Sequence, residues 1–321
     1  MIPDIFSIKS LEAFEEAAFL VFEYQYTNNA VYRSFCDLLY KNPSDIGSIE
    51  NIPFLPIEFF KTRKIISSST PVQQVFTSSG TSGMQTASHY ITDLSVYEKS
   101  FLNGFYHFFG SPNEYIIIAL LPSYLERENS SLVYMMDRLI RESQHPESGF
   151  FLNQYEEVAD KLKRWDGKDR KILLVGVSFA LLDLVEKFSF SLSHTIIMET
   201  GGMKGRRKEL TREELHDQFK KGFGVTKIYS EYGMAELLSQ AYSVGDGIFK
   251  CPPWMRVYTR DVRDPLSLQS SGGINVIDLA NYNSCSFIAT QDLGNTYPDG
   301  SFEVLGRFDH SDVRGCNLLL A

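Results

Sequence analysis

Four short runs in this chain combine residue types that bind phosphates, sugars and cations. The first is Thr77-Ser78-Ser79-Gly80-Thr81-Ser82-Gly83, which closes the strand-like run Val72 to Thr77. Glycines let a backbone turn tightly and aim several amides at one point, and hydroxyls add donors, which is how a loop surrounds phosphate oxygens. It is not the P-loop of nucleoside triphosphatases, because no Lys-Ser/Thr pair follows the second glycine. A solvated Ser/Gly linker would have the same composition. The second run, Tyr229-Ser-Glu-Tyr-Gly-Met-Ala-Glu236, closes a buried strand. There the Tyr232 ring suits a nucleobase, and the Glu236 carboxylate suits Mg2+ beside phosphates. Alternatively, Glu236 opens the next helix and caps it electrostatically. The third run is Thr290-Gln-Asp292-Leu-Gly294, and the fourth is Gly306-Arg307-Phe-Asp309. A carboxylate and a guanidinium converging on a ribose would explain both, as would a turn and a surface ion pair.

The elements that must position these runs are legible from apolar spacing. Ile8, Leu11, Phe14, Ala18, Val21 and Phe22 recur at helical intervals between Ser7 and Tyr26, with Ser7 and Ser10 placed to cap the first turn. A second helix is expected near Asn29 to Lys41, before Asn42-Pro43, and the prolines of NIPFLPIEFF then impose extended chain. Tyr115 to Leu121, Lys171 to Val177, His194 to Glu199 and Val225 to Tyr229 are β-rich runs without alternation, as in strands buried on both faces. Helical patterns at Ser131 to Glu142, Val158 to Trp165, Phe179 to Phe188 and Thr211 to Lys221 lie between and around them. The fold class is therefore α/β: a mainly parallel sheet flanked by helices, with ligands beyond the carboxyl ends of its strands. After Gly233 the texture turns to short alternating segments, MRVYTRDV, GGINVIDL and CSFIAT, which predicts an antiparallel β subdomain at the C-terminal side. The four runs would meet where these two parts join.

Composition narrows the classes of function. With 321 residues, 43% hydrophobic and 22% charged, the chain has the composition of an ordinary globular protein, and one large core is expected. Thirty-one basic against 40 acidic residues leave a net charge of −9, which opposes nucleic-acid backbones, so no nucleic-acid partner is expected. Cys36, Cys251, Cys285 and Cys316 are widely spaced, without a CxxC pair or zinc spacing, and read as reduced thiols. The start MIPDIFSIKSLEAFEEA has no secretory pattern, and the longest apolar stretch, Tyr115 to Leu121, is far short of a membrane span. A cytoplasmic, not membrane-spanning protein is expected.

In order along the chain, the TSSGTSG loop, the YGxxE element, the Asp-Leu-Gly turn, Gly-Arg-x-Asp and Arg314-Gly315-Cys316 resemble the motif set of the adenylate-forming superfamily. That superfamily includes acyl-CoA synthetases, peptide-synthetase adenylation domains and luciferase. The match runs from about Val72 to Asn317. Within it the chain looks most like acyl-protein synthetases of the LuxE type, the fatty-acid-activating components of bacterial bioluminescence reductases. Those chains are similarly short and end soon after an Arg-Gly-Cys-like element.

The resemblance implies a fold and a set of roles. The expected organisation is an adenylate-forming core over 1–305, with a helical N-terminal part and phosphate loop (1–110), parallel α/β (111–230) and a β-rich subdomain (231–305). Residues 306–321 would be a truncated hinge and cysteine-bearing tail. Ser79, Gly80, Thr81, Ser82 and Gly83 would surround the ATP phosphates. Tyr232 with Gly233 would face adenine, and Thr200, Gly201 and Gly202 would line the same pocket. Glu236 would bind Mg2+, Asp292 and Arg307 would hold the ribose hydroxyls, and Asp309 would occupy the hinge. ATP and Mg2+ are thus the implied cofactors, a carboxylic acid of the fatty class the implied substrate, and an acyl-accepting reductase or transferase the implied partner. Cys316 would take the acyl group as a thioester; it stands next to a chain end and near Arg314, which favours thiolate. Packing under Leu318 to Leu320 is its plain alternative. An external thiol on coenzyme A or a carrier protein, or a non-catalytic nucleotide-binding relative, are the rival functions.

Some positions depart from the superfamily pattern. Relatives place a lysine soon after the glycine loop, where this chain reads Met84-Gln85-Thr86-Ala87-Ser88-His89, and a threonine where Ala235 stands. Only 12 residues follow Asp309, so the small C-terminal lysine-bearing domain is expected to be absent. His89 and Lys204 are candidate replacements for the lost positive charge, against a surface histidine and a solvated lysine. The basic turn Gly201 to Lys208 could attract phosphates or an acidic partner. Phe101, Phe105, Phe108 and Phe109 are at helical spacing and suit an acyl tunnel or, more simply, hydrophobic core. Cys36 and Cys251 read as packed side chains.

Overall fold

The structure is a computed structural model that describes residues 2–78, 86–122, 129–201 and 210–308. In chain order its helices are α1 (Leu11–Asn28), α2 (Ala30–Leu38), α3 (Phe59–Thr62), α4 (Leu94–Phe109), α5 (Ser131–Ser143), α6 (Tyr155–Trp165), α7 (Ser178–Lys187) and α8 (Arg212–Phe223). The strands are β1 (Leu55–Pro56), β2 (Gln74–Thr77), β3 (Ser88–Ile91), β4 (Tyr115–Leu120), β5 (Gly149–Phe151), β6 (Lys171–Val177), β7 (Thr195–Thr200) and β8 (Tyr229–Tyr232). They continue with β9 (Ala241–Ser243), β10 (Ile248–Lys250), β11 (Met255–Arg260), β12 (Leu268–Gln269), β13 (Ser271–Asp278), β14 (Phe287–Thr296) and β15 (Phe302–Arg307). By contact density the chain forms two compact units, Thr70–Pro252 and the combination of Met1–Ser69 with Pro253–Ala321.

In the Thr70–Pro252 unit, β5, β4, β6, β7 and β8 are neighbours in that order and all parallel. The chain then turns back, so β9 runs antiparallel to β8 and β10 antiparallel to β9. β4 is buried at every residue and β6 at all but Lys171, which explains why these runs show no alternation. Helices α4 and α5 cover one face, while α7 and α8 cover the other. Each helix starts and stops for a local reason. Asp93 caps α4, which ends at Gly110 in the left-handed region. Thr211 and Glu214 form a capping box at α8, which ends at Gly224 with φ +71°. A Cβ on Gly222 would collide with Val185 of α7, so glycine lets these two helices approach closely. The hairpin β2–β3 stands apart from the large sheet.

In the other unit β11 lies between β12 and β13, and β14 and β15 follow, all antiparallel, while the two-residue β1 pairs with β14 in parallel. This is the expected antiparallel subdomain. The N-terminal helices belong to it. Asn29 caps α2 through its side chain, is fully buried, and also donates to the Ser284 carbonyl at 2.9 Å. Gln25 of α1 donates to the carbonyls of Asn281 and Tyr282, both at 3.0 Å. The apolar stripe of α1 supplies Phe22, which meets Tyr32 and Phe287 edge-on, the geometry aromatic quadrupoles prefer.

Three sequence expectations shift. The run Val225 to Tyr229 is not the strand: residues 225–228 form the turn out of α8, and β8 begins at Tyr229. Tyr232 is therefore the last residue of a strand rather than part of the following loop. No helix follows Glu236. Met234 to Leu237 make a turn and β9 starts at Ala241, which leaves no length for one. His89 is neither a surface residue nor a cation, as described next.

Candidate functional site

The parallel strands β7 and β8 end side by side, with Thr200 opposite Glu231 and Glu199 opposite Ser230. Because side chains alternate along a strand, these two pairs point to opposite faces of the sheet.

On the α7–α8 face, Glu199 is the centre of a buried polar cluster. Its Oε1 accepts hydrogen bonds from His216 Nε2 and Ser230 Oγ, each at 3.0 Å, and its Oε2 accepts one from Ser178 Oγ at 3.1 Å. Ser178 Oγ also lies 2.9 Å from the Gly201 carbonyl, so the cluster touches the backbone at the end of β7. Arg212 Nε stands 4.0 Å from Glu199 Oε1. Burial alone would raise the Glu199 carboxyl, yet the hydrogen bond from His216 and the charges beside it outweigh this and hold it below its ordinary pKa. The Arg212 guanidinium lies over the Phe249 ring at 4.9 Å, and Phe249 meets the Tyr232 ring edge-on at 5.9 Å. Tyr232 is only 9% exposed.

On the α4–α5 face, Thr200 Oγ1 donates to Glu231 Oε2 at 2.5 Å. Glu231 is half-buried, and desolvation pushes its carboxyl up to about 7 against the opposing effect of the Thr200 hydrogen bond. It lines a small apolar cavity together with Phe105, Leu132, Met135, Met136, Leu139, Leu173, Val175, Met198 and Tyr242. Phe105 is thus the one member of the phenylalanine series that reaches this cavity, while Phe101 and Phe109 are core.

The remaining site residues of this unit follow from those strand ends. Gly201 is exposed, with φ +68°, a conformation that favours glycine. A Cβ on Gly233 would overlap Glu231 Oε1 and come within 3.3 Å of Gln240 Cγ, so a side chain there would displace the Glu231 carboxyl. Glu236 is 6% exposed in the turn after β8. Among the described residues no three His, Cys, Asp or Glu side chains gather as a metal cluster. One carboxylate is nevertheless the share a protein commonly contributes to Mg2+ when phosphates and water complete the octahedron, and Glu236 fits that role. His89 is 1% exposed, its Nδ1 donates to the Ala235 carbonyl at 2.8 Å, and burial lowers its pKa to about 4. It is neutral at pH 7 and supplies no charge to a phosphate.

In the other unit, Asp292 and Arg307 are register partners across β14 and β15. Arg307 Nε donates to Asp292 Oδ1 at 2.9 Å. Ser79, Gly80, Thr81, Ser82, Gly83, Gly202, Lys204, Asp309 and Cys316 lie outside the described residues.

The fold is shared with solved structures. ATP-bound MatB from Rhodopseudomonas palustris superposes with a TM-score of 0.54 at 16% identity, over 75% of this chain and 49% of that one. The O-succinylbenzoate coenzyme A synthetase of Bacillus subtilis, solved with ATP and magnesium ion, gives 0.50 at 17% identity, over 75% of this chain and 51% of that one. The fold is that of the adenylate-forming enzymes. This chain spans about half the length of those structures. In sequence, the family described as acyl-protein synthetase, LuxE, matches residues 6–99. The long-chain-fatty-acid–luciferin-component ligase of Vibrio harveyi is 22% identical over 327 aligned positions, covering 94% of this chain and 85% of that protein. The resemblance to LuxE-type acyl-protein synthetases read from the motifs is therefore borne out.

Sequence reasoning missed Glu199, His216 and Glu231 as site residues. Glu231 stands inside the Tyr229 to Glu236 run, and period-2 alternation along it separates Glu231 from Tyr232. Nothing in the sequence pairs Glu199 with His216, which are 17 positions apart.

Among the described residues no helix is long and apolar enough to cross a membrane.

Proposed function

We propose that this chain transfers the AMP part of ATP to a carboxylic acid, forming an acyl-adenylate, and passes the acyl group to a thiol. A carboxylate oxygen attacks the α-phosphorus, the bond to the bridging oxygen breaks, and pyrophosphate leaves with that oxygen. The thiolate then attacks the acyl carbonyl carbon and AMP leaves. The first step makes a poor electrophile into a good one, and it needs donors arranged around the charge that builds on the phosphates.

The observation that carries this reading is the paired carboxyl end of β7 and β8, with Gly201 open to solvent and Gly233 and Glu236 immediately downstream, on a fold shared with ATP-bound structures. Ligands of parallel sheets bind at such strand ends. In this reading Thr200, Gly201, Gly202, Tyr232 and Gly233 serve the adenine side. Ser79 to Gly83 serve the phosphates, Asp292 with Arg307 the ribose, and Glu236 a Mg2+ ion. That ion would offset the charge developing on the phosphates.

The acid is a fatty one in this proposal. The cavity beside Glu231 is lined almost wholly by apolar side chains, and the Vibrio harveyi relative is named for a long-chain fatty acid. Cys316 is the proposed acceptor, with an acyl-accepting reductase or transferase as onward partner. Burial pushes the Cys36 thiol up to about 12 and the Cys285 thiol up as well, so neither supplies a thiolate at neutral pH.

Acid-dependent exchange of pyrophosphate into ATP tests the reading. With saturated acids from octanoate to hexadecanoate, exchange is expected with at least part of the series. Its absence across these acids and an aromatic one would leave only nucleotide binding without catalysis.

A further inference from the structure

Glu231 is an unusual side chain to find where it is. The cavity it lines is formed by Phe105 from α4, Leu132, Met135, Met136 and Leu139 from α5, and the sheet residues Leu173, Val175 and Met198. Its carboxyl is held from one side by Thr200 Oγ1 at 2.5 Å and from another occupies the space above Gly233 that a Cβ would fill. Among the described residues no basic side chain is paired with it: its hydrogen bond comes from a hydroxyl, and the ionisable groups facing it there are two phenols, Tyr97 of α4 and Tyr242 of β9. Both phenols are buried, with pKa values pushed above the ordinary 10, and they remain neutral through the physiological range. Glu199, His216 and Arg212 lie on the opposite face of β7 and β8.

We propose that Glu231 determines which ligands this cavity accepts, because an apolar chain enters it only when the carboxyl carries a proton, so that chain binding and proton uptake are coupled. This rests on the reading of the chain as an acid-activating enzyme and adds the residue that controls the acid's tail. The physical reason is desolvation. An ionised carboxylate beside the cavity keeps its charge only while water reaches it, and an alkyl chain laid against it removes that water without supplying a donor. The protonated carboxyl loses far less. The cavity is small as it stands, and Met135, Met136 and Met198 on its wall are the unbranched side chains best able to repack around a chain. Among the described residues no cation stands opposite, so none of them offsets the cost of the charged form. The carboxyl titrates at about 7, so the coupling acts at ordinary pH.

Linkage fixes the sign. Because the chain-bound form holds the proton more tightly than the free form, affinity is highest below pH 7 and falls as pH rises. Decanoate and 1-decanol, the first ionised throughout and the second never ionised, can be titrated into the full chain by calorimetry between pH 6 and pH 9. For both ligands the dissociation constant is expected to rise about tenfold per unit above pH 8, with close to one proton taken up per molecule bound at pH 8.5. The uptake is read in the unsubstituted protein from two buffers of different ionisation enthalpy. Glu231→Gln, which resembles the protonated state, should bind both ligands with no dependence on pH and no proton uptake. A flat profile in the unsubstituted protein, or the same slope in Glu231→Gln, would overturn the proposal while leaving acid activation intact. Failure of both ligands to bind at any pH would overturn it together with the assignment of the cavity to the acid.

Discussion

Arg307 donates through Nε to Asp292 Oδ1 at 2.9 Å, and the two partners differ sharply in exposure: the Asp292 side chain is 7% exposed and that of Arg307 is 76%. The carboxylate is thus fixed in the sheet, while the guanidinium rides on its surface. A plain surface ion pair contributes about 0 to 1 kcal/mol. A charged acceptor for ribose hydroxyls contributes more, so Asp292→Ala is expected to weaken ATP binding by roughly 1.5 to 3 kcal/mol. Calorimetric titration with ATP decides between the two, and equal affinities would return the pair to a structural role.

Glu236→Gln should slow pyrophosphate exchange much more than it weakens ATP binding. The carboxylate lies in a tight turn rather than at a helix start, so it has no helix to cap. Its proposed contribution, through the metal it would hold, is greatest as charge develops in the transition state. Comparing exchange rates with ATP affinity at saturating Mg2+ gives the answer, and an unchanged rate removes Glu236 from the reaction.

The Glu199 cluster makes stability depend on pH in one direction. Its carboxyl is held below the ordinary range in the folded chain, and the unfolded value is about 4.3. A depressed folded-state pKa means that the stabilisation is present in full above the unfolded value and is lost as pH falls through the folded one. Glu199→Gln should therefore be less stable than the parent by about 1 to 3 kcal/mol at pH 7. That gap should narrow below about pH 4.3. Urea denaturation at pH 7, 5 and 3.5 measures it; a gap that stays constant would mean the charge is not what holds His216, Ser178 and Ser230 in place.

Incubation with ATP, Mg2+ and a reactive fatty acid should add one acyl mass to the chain, removable by hydroxylamine. Cys316→Ser should abolish that label and spare pyrophosphate exchange, since the adenylate forms before the thiol acts. Intact-mass analysis reads both. A thioester that persists in Cys316→Ser points to another thiol, and exchange without any label points to a diffusible one such as coenzyme A.

Much of the architecture was legible because burial writes itself into composition. Strands covered on both faces, such as Tyr115–Leu120 and Lys171–Val177 beyond its exposed first residue, must be apolar, and Met255–Arg260 alternates because its burial does. The ordered motifs were legible for a different reason, since phosphate, sugar and metal chemistry restrict residue types locally. What depended on distant partners was not. His89 looked like a surface residue, but β2–β3 pairing and the Ala235 carbonyl bury it and leave it neutral. The N-terminal helices could not be assigned to the C-terminal strands from spacing, because Asn29 meets Ser284 across 255 positions of chain.

The sequence by itself determined that the chain is an α/β protein with an adenylate-forming motif order, because those features depend on neighbours along the chain. Only the tertiary structure decided which face each residue of Tyr229–Tyr232 serves. Once β8 lies parallel to β7, a period of two puts Ser230 against Glu199 and Glu231 against Thr200. Two carboxylates one pairing step apart then titrate in opposite directions. Glu199 is met by His216 and Arg212 and stays charged, whereas Glu231 faces phenols and an apolar cavity, and desolvation raises it.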